Sequence, residues 1–142
     1  MALILDTGPL LAALDQRDAY HHVCRTLLAT STESLVVPSP VLTELDYWLG
    51  RYGGTTAQVA FVDEIISGTY IVLNLEPEEY VRVRELMARY ADSDIGFVDA
   101  AVFTIVERLR EPKLATLDRR HFGLLRPRHV ESLRLLPEGL LP

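Results

Sequence analysis

The alternation of short apolar runs with longer stretches of helical period restricts the fold of this chain more than any other feature. Runs suited to strands lie at Ala2–Leu5, Leu35–Val37, Tyr70–Leu73, Leu114–Leu117 and Leu133–Leu136. The segments between them predict helices at Gly8–Leu14, Ala19–Ala29, Val41–Tyr52, Thr55–Ser67, Pro77–Tyr90 and Phe97–Arg110. Strands that alternate with helices pair in parallel, because each parallel pair needs a crossover long enough to be a helix. The expected fold class is therefore α/β, a mainly parallel central sheet flanked by helices. Punctuation agrees: Pro9 and Pro40 suit first helical turns, Gly53-Gly54 a helix stop, Thr55 a following cap and Pro112 a break after Arg110.

A chain of 142 residues with 49% hydrophobic content can build one real core and is too short for two, so a single domain over residues 1–142 is expected. No apolar run reaches the roughly 18 to 20 residues of a membrane span. The longest candidate, Gly96 to Val106, is interrupted by Asp99. The N-terminus lacks a basic segment, and Asp6 falls inside any would-be apolar leader, so no secretory signal is expected. Cys24 is the only cysteine, which excludes an internal disulfide and a cysteine-based zinc site. A reducing cytoplasm is the expected location.

Four acids sit where folding alone would not put them. Asp6 ends the first apolar run, Glu44 and Asp99 interrupt apolar helical stripes, and Asp118 follows Leu114–Leu117. Carboxylates at the margin of a core are costly unless paired or metal-bound. Only Asp118 has a basic neighbour in sequence, Arg119. Singly, Asp6 would serve as a helix N-cap and Asp99 as a first-turn acid facing the helix dipole. Glu44 has no such role, since it falls between Val41 and Trp48 on a stripe that also contains Leu45 and Tyr52. Asp6 and Asp118 each follow a predicted strand, and ligands gather at the carboxyl ends of parallel strands. Two unit charges ~4 Å apart repel by about 4 kcal/mol at an effective dielectric of ~20. Proton uptake or a cation relieves that repulsion, and an all-oxygen set selects hard Mg²⁺ or Mn²⁺. Such an ion keeps waters and steadies phosphoryl oxygens, the chemistry of phosphodiester cleavage.

Net charge is −6, which taken alone disfavours a nucleic-acid partner. The average conceals an asymmetry. Residues 1 to 71 carry three arginines against eight acids, whereas residues 108 to 134 carry eight basic residues against three acids. Thirteen of the fourteen basic residues are arginine, the better fork for phosphate, which keeps a nucleic-acid partner open.

Four segments, taken in order, resemble the motifs of PIN-domain ribonucleases: Asp6-Thr7-Gly8, Val41-Leu42-Thr43-Glu44-Leu45-Asp46-Tyr47, Gly96-Phe97-Val98-Asp99-Ala100-Ala101 and Thr116-Leu117-Asp118-Arg119-Arg120-His121-Phe122. More narrowly, the chain resembles VapC toxins of bacterial toxin-antitoxin pairs over nearly its full length. The resemblance implies a PIN-like domain and a metal-dependent endoribonuclease that acts as a toxin. It implies Asp6, Glu44, Asp99 and Asp118 as the acidic site for Mg²⁺ or Mn²⁺, with Thr7 and Thr116 beside it as hydroxyl ligands or donors. It further implies a homodimer, a VapB-like antitoxin, and transfer RNA or ribosomal RNA as substrate, the segments around Glu44 and Asp118 being most similar to members that cut the sarcin-ricin loop. The family often has Ser where this chain has Gly8.

Arg119, Arg120 and His121 are candidate RNA contacts; one arginine would alternatively neutralise the acids, and His121 would alternatively be a cap or surface residue. Asp94, five residues before Asp99, reads as a solvated or capping residue, with a peripheral role in the site as the lesser alternative. Tyr47, Trp48 and Tyr52 are assigned to the core or an interface ahead of base stacking, and Leu10, Leu11 and Leu14 to the core or to the dimer interface that the resemblance implies. Other readings are an aspartyl-phosphate phosphatase using Asp6, which usually wants an acid where Gly8 stands, a PIN nuclease of RNA maturation, and a PIN scaffold that binds without cleaving.

Overall fold

The computed structural model describes residues 1–140, so the last two residues of the expected 1–142 domain lie outside it. Five short strands form: β1 (Ala2–Ile4), β2 (Ser34–Pro38), β3 (Tyr70–Leu73), β4 (Lys113–Ala115) and β5 (Arg134–Leu136). Six helices connect and follow them: α1 (Thr7–Leu14), α2 (His21–Thr30), α3 (Ser39–Ile66), α4 (Tyr80–Arg89), α5 (Phe97–Leu109) and α6 (Arg119–Leu124). Short 3₁₀ turns at Pro77–Glu79 and Ala91–Ser93 precede α4 and α5. Every strand pairing among the described residues is parallel, as the alternation requires.

The sheet is built in two pieces that touch once. β1, β2 and β3 pair with Leu3 opposite Leu35 and Val36 opposite Ile71, while β4 and β5 pair with Leu114 opposite Leu135. A single bridge, Leu5 to Ala115, joins them and gives the order β3-β2-β1-β4-β5. Asp6 N–H donates to Ala115 O at 2.9 Å just beyond it. At the opposite ends of the same strands side chains take over: Ala2 N–H donates to Glu111 Oε1 at 2.8 Å, and Lys113 Nζ lies 3.0 Å from both Glu33 and Glu111.

α5 is the helix around which the rest packs. Ala100 through Val106 are all buried, with Ala100 and Ala101 small enough to let it lie close to β1 and β2. Its outer side is clamped to α4 by Arg82, whose guanidinium forks onto Glu107 at 2.8 and 2.9 Å and reaches Glu85 at 3.1 Å. α3 covers the core through Val41, Leu45 and Leu49 and breaks at Gly54, whose φ of 66° suits glycine. The expected stop at Gly53-Gly54 is therefore present: Gly54 is non-helical, and the span 39–66 is two helices that meet there at a kink.

Arg82 and Glu107 side chains are each only 9% exposed, so removing one partner strands a buried charge. Arg82→Met should lower unfolding free energy by about 3 kcal/mol. The double change Arg82→Met with Glu107→Leu should regain most of that loss, read by urea denaturation.

Candidate active site

Asp6 stands at the carboxyl end of β1 and at the N-cap position of α1, yet its side chain makes no cap bond. Its Oδ2 instead accepts from the hydroxyl of Thr116 at 2.8 Å, and Thr116 Oγ1 in turn accepts from Asp118 N–H at 3.0 Å. One fully buried hydroxyl thus links the acid after β1 to the backbone of the acid after β4. Glu44 rises from the first half of α3, and Thr7 donates to its Oε1 at 2.5 Å. Asp99 enters from the first turn of α5. Asp118 caps α6, accepting from His121 N–H at 3.0 Å.

The four acids feel one another's charge. Asp6 is 7% exposed, and burial pushes its carboxyl up to about 6, opposed by the Thr116 bond and reinforced by Asp99 and Glu44. Asp99 is also raised, first by burial and then by the charge of Asp118. The side chain nearest these acids with a basic group among the described residues is His121, whose Nδ1 lies 3.2 Å from Asp99 Oδ2 and 2.9 Å from Asp118 Oδ2. No lysine or arginine compensates the cluster among the described residues. The donor set is carboxylate and hydroxyl oxygen, which fits a hard divalent cation. Carboxylate oxygens of Asp99 and Asp118 lie within 4.8 Å of one another, close enough to hold one, with the His121 ring nitrogen beside them.

Several sequence expectations change in detail. Asp118 lies three residues beyond β4 rather than directly after it, because the chain leaves the strand at Ala115 and turns into α6. α6 is too short to show a helical period in the sequence; its signal is the Asp118 cap followed by Phe122 and Leu125, both 2% exposed. Glu44 lies beside the buried row Val41, Leu45 and Leu49 rather than on it. Tyr47 and Tyr52, each 53% exposed, flank Trp48 in an open aromatic ladder, with ring centroids 5.0 and 5.7 Å apart, instead of entering the core. Leu10 does enter it, while Leu14 is 46% exposed. Arg119 donates to the carbonyls of Leu135, at 2.7 Å, and of Pro137, so its guanidinium fastens α6 to β5 and is not turned toward solvent as an RNA contact would be. Arg120 is exposed, and Asp94 is exposed in a left-handed conformation with φ 56°.

The sequence model of the PIN domain matches residues 3–125, and ribonuclease VapC26 of Mycobacterium tuberculosis is 34% identical over 125 residues, 88% of this chain and 93% of that protein. This chain belongs to the PIN-domain family. Its fold is that of VapC proteins of known structure. VapC20 of Mycobacterium tuberculosis, described as a sarcin-ricin loop cleaving toxin, matches with a TM-score of 0.72 at 23% identity, over 79% of this chain and 86% of that one. VapBC2 of Rickettsia felis, bound to promoter DNA, matches at 0.68 and 18% identity over 95% and 98% of the two chains. DNA-bound VapBC of Salmonella typhimurium matches at 0.67 and 18% over 95% and 96%. At those identities the structural likeness concerns the fold. None of the described helices of this PIN domain is long and apolar enough to cross a membrane.

The raised carboxyl of Asp6 has a pH consequence in the metal-free protein. Between pH ~4 and ~6 the folded chain keeps a proton that the unfolded chain has lost, so this group's contribution to stability falls as pH rises through that window and is constant above it. The gap from 3.8 to about 6 is worth at most about 3 kcal/mol. Asp6→Asn should therefore match the wild type in chelator below pH 4 and exceed it increasingly toward pH 6, with a plateau above; melting curves across pH check this, and parallel curves would contradict it.

Proposed function

We propose that this PIN domain, acting as one domain over residues 1–142, is a metal-dependent endoribonuclease and the toxin of a VapBC-type pair. The observation that carries the reading is the convergence of Asp6, Glu44, Asp99 and Asp118, with hydroxyl donors behind them and no lysine or arginine ion-paired to any of them among the described residues. Kinship with ribonuclease VapC26 supports the activity, and the VapBC complexes among its structural neighbours support an antitoxin partner.

Asp6, Asp99 and Asp118 would chiefly hold Mg²⁺ or Mn²⁺. When bound, the ion supplies Lewis-acid stabilisation of the phosphoryl oxygens and a nucleophilic water near neutral pH. The chain's own residues set the geometry. Thr116 holds Asp6 Oδ2, and Thr7 holds Glu44 Oε1, so that Glu44 Oε2 is the oxygen left to orient and deprotonate an attacking water. In-line attack by water leaves a 5′-phosphate and a 3′-hydroxyl, with no covalent protein intermediate. Exposed Arg120 is the arginine of its segment offered to phosphate. The substrate is transfer or ribosomal RNA, with the sarcin-ricin loop, the target named for VapC20, as the first site to examine.

An uncovered ribonuclease endangers its own cell. A VapB-like antitoxin segment would lay apolar side chains on the open Tyr47, Trp48 and Tyr52 ladder and direct an arginine to the acids. Self-association into a homodimer and a cytoplasmic location complete the proposal.

Asp6→Asn, Glu44→Gln and Asp99→Asn should each reduce cleavage by at least about 100-fold while the fold persists, each removing charge with little change of volume. Asp94→Asn should retain most activity. End-mapping of RNA from cells expressing the protein is the direct test, with the Asp6→Asn variant as control. Identical RNA ends and equal growth in both cultures would overturn the nuclease reading. Growth rescue and copurification with the product of the adjacent gene would separate a toxin from a maturation nuclease.

A further inference from the structure

His121 approaches the acidic site in a way that neither an RNA contact nor a helix cap explains. A cap bond needs only its backbone, and that bond is made: His121 N–H donates to Asp118 Oδ1 at 3.0 Å. The ring then turns back over the same carboxylate, placing Nδ1 2.9 Å from Asp118 Oδ2. The same nitrogen lies 3.2 Å from Asp99 Oδ2, on a different helix. One residue therefore holds both oxygens of Asp118 and joins it to Asp99. Neighbouring Phe122 and nearby Leu125, each 2% exposed, seat α6 in the core and fix where the ring begins. With two carboxylate oxygens facing it, Nδ1 carries its hydrogen, donates it to Asp118 Oδ2 and keeps Asp99 Oδ2 within 3.2 Å of the same nitrogen.

We propose that His121 is a positioning residue, whose Nδ1–H holds Asp99 and Asp118 together as one preformed pair of ligands for the divalent cation. The inference rests on the ribonuclease reading above and deepens it. Like charges on two separate helices would otherwise drift apart to reduce their repulsion. A carboxylate oxygen that accepts from an N–H keeps another lone pair, so the bond from His121 and a bond to a cation are compatible. Partners of this kind, behind the ligands themselves, typically alter metal affinity or activity by about 10- to 100-fold. Nδ1 is engaged with the acids, so the ring is not offered through that atom to RNA.

Three variants of the full chain test the proposal. His121→Ala removes the ring donor, His121→Asn restores an N–H donor near the position of Nδ1, and His121→Gln puts one near Nε2 instead. His121→Ala should lower kcat by about 10- to 100-fold with little change in KM, and raise by about 10-fold the Mn²⁺ concentration giving half-maximal thermal stabilisation. His121→Asn should recover most of both effects and His121→Gln little of either. Electron spin-echo spectra of bound Mn²⁺ should show no directly coordinated nitrogen in the wild type. A directly bound nitrogen lost in His121→Ala would make the residue a metal ligand and overturn the proposal. A raised KM with unchanged kcat and Mn²⁺ response would make it an RNA contact. A lower melting temperature in chelator for all three variants, with an unchanged Mn²⁺ response, would leave it a helix residue only. If the wild type fails to cleave any RNA while Mn²⁺ stabilisation still falls in His121→Ala and returns in His121→Asn, the ribonuclease reading fails and the positioning role stands.

Discussion

β1 and β4 meet through one backbone bridge, Leu5 to Ala115, and the acidic site is assembled around that junction. β2 and β3 lie on one side of β1 and β4 and β5 on the other, so the chain reverses its direction of travel across the sheet there. Loops that leave the carboxyl ends of strands at such a point diverge and open a crevice. Asp6 and Asp118 stand at that point, and the Thr116 hydroxyl links them by accepting from one residue's N–H and donating to the other's carboxylate. Were the two strands paired along their whole length, the loops would lie closer and leave less room for acids from α3 and α5. The Lys113, Glu111 and Glu33 group keeps the far ends of the strands joined by side chains instead.

Stability and site chemistry oppose each other in this arrangement. Asp6 is buried like a core residue, but the proposed metal role needs it ionised, and its environment resists ionisation. The surrounding structure offsets that resistance with rigid packing. α5, buried from Ala100 to Val106, brings Asp99 in on an inflexible element, and the buried fork between Arg82 and Glu107 holds that helix from its solvent side. The acids are thus gathered before any ligand arrives, and binding need not supply the free energy of assembling them.

Sequence reasoning found the elements well because their signals are local. Strand runs, helical periods and the Gly53-Gly54 break each depend on neighbouring residues, and each appears close to where the pattern put it. The acids were also legible, since a carboxylate beside a core is anomalous whatever the topology. Less legible were features that need two distant segments at once. The aromatic ladder of Tyr47, Trp48 and Tyr52 faces outward because the row Val41, Leu45, Leu49 already fills the core, a choice between two adjacent helical stripes that periodicity leaves undecided. Arg119 gives the sequence appearance of a phosphate contact, yet the carbonyl ends of β5 lie within its reach and claim it. The ring of His121 joins Asp118, three residues away, to Asp99, which only the fold brings near.

Gly8 lies close against Leu117, with little room for a side chain between them. A Cβ built there would sit 3.2 Å from Leu117 Cβ, in the connection between β4 and Asp118. The first turn of α1 and the approach to Asp118 therefore interlock, a missing side chain on one fitting the bulk of the other. Positions 8 and 117 form a complementary pair across the crevice, and in an alignment of relatives a side chain at the first should accompany a smaller or displaced residue at the second. Substitution along this lineage would then proceed by paired exchange, with the spacing between the loops of Asp6 and Asp118 as the quantity preserved.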